Sequence, residues 1–393
     1  IEIGNSYEPT FCVLPFIQFA NNVEGMYQAC CIATVTEYDI AKLKPMDFFN
    51  SEYMKGLRKD MLSGKVTTRI NGTCTKCIFN EKVSGSSKRT KNNEEVIIQD
   101  DIIERALNEE DIVPKEIEYL KLKIYGNKCN LRCYMCSPVS SSKVAADWKK
   151  HGEWNRPAII NPFLRMDKDF LYEGIEEVLP YLDMLELVGG EPFMFPELEG
   201  FMKWIIERGY AENLKLRFIT NGTRVNKKIF DLFDEFKRIE IILSVDAYGK
   251  KDDYIRDLSN WNTKLKFLDM CLKNEKIKMS YSNTFTWMNI GHLPEMWKFF
   301  YDEYRINMKL NNPVSYPTYF AAVHLPDDIK EYYKQNTYTH EHTNRESLLK
   351  ILNTPGDITE FDRGIKRVKQ LDKRRNRSLL QEFPEFEKYY NAA

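Results

Sequence analysis

Three cysteines fall within eight residues at Lys128-Cys129-Asn130-Leu131-Arg132-Cys133-Tyr134-Met135-Cys136, in the spacing C-x3-C-x2-C. Thiolates this close can converge on one metal centre from a single loop, and cysteine thiolates are the usual ligands of iron–sulfur clusters. The count is informative. A cube of four irons held by three cysteines keeps one iron open to a small ligand, much as a catalytic zinc keeps an open position. The other chemistry available to these residues is a structural zinc with a distant fourth ligand. Zinc sites are typically built from paired C-x2-4-C elements, and no second pair lies near this loop, so the spacing favours a cluster.

The elements that must position the loop are legible around it. It follows an apolar, strand-like run, Tyr119-Leu120-Lys121-Leu122-Lys123-Ile124. About fifty residues later a second such run, Leu185-Glu186-Leu187-Val188, leads into Gly189-Gly190-Glu191-Pro192. Thr220-Asn221-Gly222-Thr223 follows a third run, and Ser244-Val245-Asp246 ends a fourth, with Arg256 ten residues on. This ordered set resembles the radical S-adenosylmethionine (SAM) superfamily, whose signature is C-x3-C-x2-C after the first barrel strand and a GGEP-like turn after the second. The resemblance spans roughly residues 118 to 315.

The resemblance implies an α/β fold, an open partial (β/α)6 TIM-like barrel with its site at the C-terminal ends of the strands. Runs near 119–124, 184–188, 214–219, 239–245, 277–285 and 307–311, alternating with helical segments, fit that expectation. It further implies that Cys129, Cys133 and Cys136 hold a [4Fe-4S] cluster whose open iron takes the amino and carboxylate groups of S-adenosylmethionine. The reaction implied is reductive cleavage of SAM to a 5′-deoxyadenosyl radical, which abstracts a hydrogen atom from a substrate carbon. Gly189, Gly190 and Pro192 would shape the turn beside the methionine moiety, glycine permitting close backbone approach, and Glu191 would accept a hydrogen bond from its ammonium. Ser244 and Asp246 would meet the ribose or carboxylate, Arg256 would pair the carboxylate, and Asn221 and Asn283 would face the same rim. Met135 stands where many members of the family have an aromatic residue for the adenine, with Tyr134 one place earlier. A flavodoxin- or ferredoxin-type protein is the implied electron donor.

Residues 1 to 80 carry five of the nine cysteines. Cys12-x12-Gly25-x4-Cys30 reads as strand, turn and returning strand, and Gly72-Thr73-Cys74-Thr75-Lys76-Cys77 supplies a C-x2-C turn. Four such thiols can enclose one metal, and spacing alone leaves zinc and iron–sulfur open. The pattern resembles the auxiliary-cluster domain of radical SAM enzymes called SPASM, in its shortened twitch form, and so implies a second [4Fe-4S] cluster on Cys12, Cys30, Cys74 and Cys77. It departs from most of that group in preceding the barrel. Cys31, next to Cys30, is expected to be a buried small hydrophobe. The expected division is an auxiliary domain at 1–92, a linker helix at 93–116, the barrel at 117–325 and a C-terminal helical extension at 326–393.

Between these landmarks, helical spacing runs from Asp47 to Leu62 and from Val96 to Asn108. The Ser/Gly/Lys-rich stretch 81–98 reads as a linker or loop, and Trp148 to Phe163 as a loop near the substrate. Lys366-Arg367-Val368-Lys369-Gln370-Leu371-Asp372-Lys373-Arg374-Arg375-Asn376-Arg377 is a basic helical run. With Asp and Glu around it and a net charge of −1 for the chain, a solvated helix face is expected rather than a nucleic-acid patch. No run approaches the length of a membrane span, no basic and apolar leader opens the sequence, and nine cysteines suit a reducing cytoplasm. A peptide made on the ribosome is the substrate the resemblance points to. The alternatives are the same chemistry on a sugar, nucleotide or alcohol, and a non-catalytic SAM-fold binding protein.

Overall fold

The computed structural model describes residues 10–84, 87–157, 167–306, 308, 310, 312–314, 316–336 and 345–393. Its framework is one open, mostly parallel seven-stranded sheet in the order β2-β1-β3-β4-β5-β6-β7. The strands are β1 (Gln18–Asn21), β2 (Tyr27–Gln28), β3 (Tyr119–Leu122), β4 (Met184–Leu187), β5 (Lys215–Thr220), β6 (Arg238–Ser244) and β7 (Ile277–Ser282). Along β3, β5 and β6 burial alternates residue by residue, the period-two pattern of a strand with one covered face. Leu120, Leu122, Leu216, Phe218, Ile239, Ile241 and Leu243 make the covered face and are fully buried.

The opposite face carries a row of alternating charge. Lys121 of β3 lies in register with Glu186 of β4, which lies in register with Arg217 of β5. Lys121 pairs with Glu186, and Arg217 reaches Glu186 at 3.8 Å and Glu240 of β6 at 2.6 Å. Burial pushes the Glu186 carboxyl up to about 7, against the pull of Arg217, so this carboxylate depends on its cationic neighbours for its charge.

Five of the six expected barrel strands form. The sixth, 307–311, lies partly outside the described residues, and Met308 and Leu310 are not in a strand. The N-terminal hairpin is present, with Ala20 opposite Gln28, but β1 also pairs parallel to β3. The hairpin therefore extends the main sheet instead of standing apart. An exposed β3 edge would offer unpaired N–H and C=O groups, and β1 covers it.

Four local expectations are corrected. The 47–62 helix is two helices, Pro45–Phe49 and Glu52–Leu62, because Ser51 caps the second by accepting from the Met54 N–H. Residues 88–95, expected as linker, are helical: Ser87 and Thr90 form a reciprocal capping box at its start. The linker helix begins only at Asp100, with Val96 extended. Trp148, expected in a loop, lies in the last turn of a helix at Ser142–Lys150, while 158–166 lies outside the described residues.

The chain divides into two compact units, Ile1–Lys128 with Arg156–Phe218 and Lys227–Glu240, and Cys129–Asn155 with Ile219–Asn226 and Ile241–Ala393. In the first, the core includes ring-on-ring contacts of Phe19 with Phe49 and of Tyr27 with Phe48. In the second, the long helix Ile358–Arg375 is buried along Phe361, Ile365, Val368 and Leu371. Among the described residues no helix is long and apolar enough to cross a membrane.

Candidate functional site

The cysteine loop belongs to the second unit and is fixed by its neighbours rather than by regular structure. Ser142 latches Cys129 twice, accepting from its N–H at 3.1 Å and donating to its carbonyl at 3.3 Å. Ser141 caps the following helix and donates to the Leu131 carbonyl at 2.7 Å. The Leu131 N–H approaches the Cys129 Sγ at 3.5 Å, the kind of donor that stabilises a thiolate. Arg132 pairs with Asp257 at 2.5 Å, and Arg375 donates to the Arg132 carbonyl at 2.8 Å while pairing with Asp147 at 3.1 Å. Tyr134 is buried, stacked on Tyr254 at 4.7 Å and donating to Asp372 at 2.5 Å. It is thus part of the scaffold, whereas Met135 beside it is half-buried.

Of the expected rim residues, Asn221 reaches this loop directly. Its amide donates to Asn130 at 3.0 Å and lies 4.0 Å from the Cys129 Sγ, and Asn130 donates to Thr223 at 2.8 Å. Asp246 and Asn283 are buried just past the ends of β6 and β7, Arg256 is buried at the C-terminal end of the helix Lys250–Ile255, and Ser244 offers its carbonyl to Lys264 at 3.1 Å. Arg256 is engaged within the protein: its Nε faces Asp246 at 2.8 Å, outside hydrogen-bonding geometry, and Asp252 at 3.9 Å. These carboxylates hold its pKa well above the usual arginine value despite burial. Removing one partner of a buried ion pair typically costs about 3–5 kcal/mol. Arg256→Met is therefore expected to destabilise the fold by about that amount in urea unfolding, and an unchanged midpoint would mean the pair is dispensable.

The Gly-Gly-Glu-Pro turn lies in the first unit. The Val188, Gly190 and Glu191 N–H groups donate in succession to the carbonyls of Leu122 (3.0 Å), Gly126 (3.3 Å) and Lys128 (2.8 Å), so the turn is laced to the segment that leads to Cys129 in sequence. A Cβ at Gly189 would sit 2.8 Å from the Gly126 oxygen, and one at Gly190 only 2.2 Å from the Lys128 oxygen. The glycines are required by backbone against backbone, a stronger reason than the ligand approach expected from the sequence. Glu191 is fully buried, with its carboxylate accepting from the Phe193 N–H at 3.4 Å, and Pro192 is buried beside it.

Residues 124–299 match the radical SAM superfamily. The chain carries a radical SAM domain.

Three solved structures of Streptococcus suis SuiB are similar to the chain. One shares 14 % identity over 75 % of this chain and 64 % of that chain, with a TM-score of 0.32. SuiB bound to its precursor peptide SuiA shares 14 % over 95 % and 74 %, at 0.34. SuiB bound to S-adenosylmethionine shares 13 % over 80 % and 75 %, at 0.29. The chain thus spans less than two thirds of the first of these. No curated protein matches it significantly.

Within the radical SAM domain, the chemistry of the donor set fits a cluster. Burial pushes the Cys136 thiol up to about 12 and that of Cys133 higher still, with the thiols reinforcing one another and Arg256 opposing. A bound positive centre would hold these two as thiolates. Among the described residues no three Cys, His, Asp or Glu side chains converge tightly enough for a single ion.

Before the radical SAM domain, Cys12, Cys30, Cys74 and Cys77 line a single cavity with Arg89. Cys74 sits between the helices Thr68–Thr73 and Thr75–Ser84, and Thr34 ties the segment after Cys30 to the carbonyls of Gly72 (2.5 Å) and Thr73 (3.0 Å). Burial raises Cys30 to about 11 and Cys74 to about 12, and the thiols add to one another's shift. Cys31 is not on that cavity. It is half-buried, close enough to Lys121 and Lys123 to influence both, so it is not the buried hydrophobe expected. Cys30→Ala is expected to remove the iron of this cavity, about four per chain for a cube, and Cys31→Ala to retain it. Equal iron loss in the two variants would contradict the ligand choice.

Sequence reasoning missed one part of the loop's support. Asp147, Asp257, Asp372 and Arg375, all buried, clamp Arg132 and Tyr134, and Arg375 comes from the run expected to be solvated. The only available signal was its hydrophobic spacing, Phe361, Ile365, Val368 and Leu371, which marks a buried stripe on that helix.

Proposed function

We propose that the chain is a radical SAM enzyme of oxidoreductase type that modifies a peptide with the help of an auxiliary iron–sulfur cluster. Cys129, Cys133 and Cys136 would hold the catalytic [4Fe-4S] cluster, and Cys12, Cys30, Cys74 and Cys77 a second one. Bound together, the first cluster and SAM supply a 5′-deoxyadenosyl radical that takes a hydrogen atom from a substrate carbon. The chain's own residues bind and orient. Glu191, buried in its turn, would accept from the SAM ammonium, Asn221 would hold the cysteine loop, and Met135 would pack against the adenine. Asp246, Arg256, Ser244 and Asn283 would shape the far rim. A flavodoxin- or ferredoxin-type donor in the cytoplasm completes the reading.

The observation that carries it is the GGEP turn after β4, laced through three backbone hydrogen bonds to the segment leading into the C-x3-C-x2-C loop. The test is anaerobic reconstitution with iron and sulfide, then incubation with SAM and a chemical reductant. Reductant-dependent 5′-deoxyadenosine and methionine in equal amounts are expected. A fully iron-loaded protein that releases neither would overturn the reading in favour of a non-catalytic binding protein.

A further inference from the structure

The basic helix at the C-terminal end has no part in the cofactor chemistry, yet it borders the cysteine loop. Ile358–Arg375 carries seven cationic side chains and three acidic ones. Arg375 is buried, and Arg367 and Arg374 are both taken up by Glu153, which these two arginines hold near a pKa of 2. Lys369 is half-buried and donates to the Tyr390 carbonyl at 3.0 Å, and Arg363 pairs with Glu360. Arg363, Lys366 and Lys373 are the exposed cations, spaced with Gln370 as one stripe of the helix.

The stripe begins at a cavity. Cys136, Tyr134, Trp148, Tyr319, Arg363 and Arg367 lie on its wall. Arg367 stacks on Trp148 at 4.6 Å and Arg363 on Tyr319 at 5.5 Å, and Tyr316, also on the wall, is 83 % exposed. One of the three cysteines of the loop, Cys136, therefore lines a cavity together with flat rings, guanidinium planes and exposed side chains.

We propose that this cavity and the cationic stripe are the docking surface for the electron donor, an acidic flavodoxin-class protein whose electron passes to the cluster through Cys136. The proposal rests on the cluster reading given above. Each encounter oxidises the donor's flavin by one electron and reduces the cluster by one, and no bond forms or breaks. Exposed cations on one face attract a partner of opposite field and raise the encounter rate. A flavin edge is planar and matches ring and guanidinium walls. A nucleic acid would use the cations but has no use for a thiol at their head.

The test is the double variant Lys366→Glu/Lys373→Glu, both exposed, compared with wild type after reconstitution. Iron content and reduction by dithionite should be unchanged, which separates this proposal from failure of the cluster reading. With a reduced flavodoxin as probe, the rate of cluster bleaching at low salt should fall by about tenfold or more, and calorimetry should show weaker binding of the flavodoxin. The wild-type advantage should shrink as salt rises past about 0.1 M, where the screening length is about 10 Å. Equal donor-driven rates in the two proteins would overturn the proposal. So would salt-sensitive binding of a duplex oligonucleotide that the variant loses while donor-driven reduction is unaffected.

Discussion

Replacement of Cys129, Cys133 and Cys136 together by Ala is expected to abolish SAM cleavage and to halve the iron content, from about eight to about four per chain, taking four-iron cubes for both sites. The expectation rests on two separate sets of thiols. Cys12, Cys30, Cys74 and Cys77 line their own cavity in the first unit, and the triplet sits on a loop of the second. The loop's anchors (Ser141, Ser142, Arg132 with Asp257, and Tyr134 with Asp372) are not cluster ligands, so the variant should fold. A wild type that saturates near four irons, with zinc in the N-terminal cavity, would sink the auxiliary half of the reading and leave the triplet untouched.

Glu191→Gln is expected to weaken SAM binding by roughly ten- to a hundredfold with iron content unchanged. A buried carboxylate that accepts from an ammonium makes a charge-assisted hydrogen bond, and losing one typically costs about 1.5–3 kcal/mol. The structure sharpens the case: Glu191 is fully buried, which removes the alternative of a solvated surface turn. Gln preserves the side chain's size and its acceptor for the Phe193 N–H, so the turn itself should survive. Wild-type affinity in the variant would assign Glu191 to capping the short helix at Pro192–Met194 and nothing more.

What was legible in the sequence was local. A three-thiol loop and a Gly-Gly-Glu-Pro turn announce themselves because their chemistry depends on spacing along a few residues. Strands β3 to β7 were equally visible: burial alternates along β3, β5 and β6, and β4 is an apolar run buried throughout. The attachment of β1 to β3 was not, because pairing across about a hundred residues of chain leaves no local mark. The helix at 88–95 hid behind a polar composition, although Ser87 and Thr90 stood at capping spacing. The need for Gly190 was seen, but for another reason: contact with the Lys128 carbonyl is a tertiary fact that no single-residue preference encodes. Arg375 is the clearest miss. Charge in a basic run argues for solvent, and only the acids brought from Asp147 and Asp257 reverse that argument.

The central claim is that the triplet holds a cluster with one iron open to SAM. Electron paramagnetic resonance of the anaerobically reconstituted, dithionite-reduced Cys30→Ala variant tests it most directly, because the signal of the N-terminal cavity is removed. Addition of SAM should shift the g-values of the remaining signal, and the shift should vanish when Cys129, Cys133 and Cys136 are also replaced. A cluster signal that SAM leaves unaltered, at concentrations that saturate related binding assays on the same sample, would contradict the account.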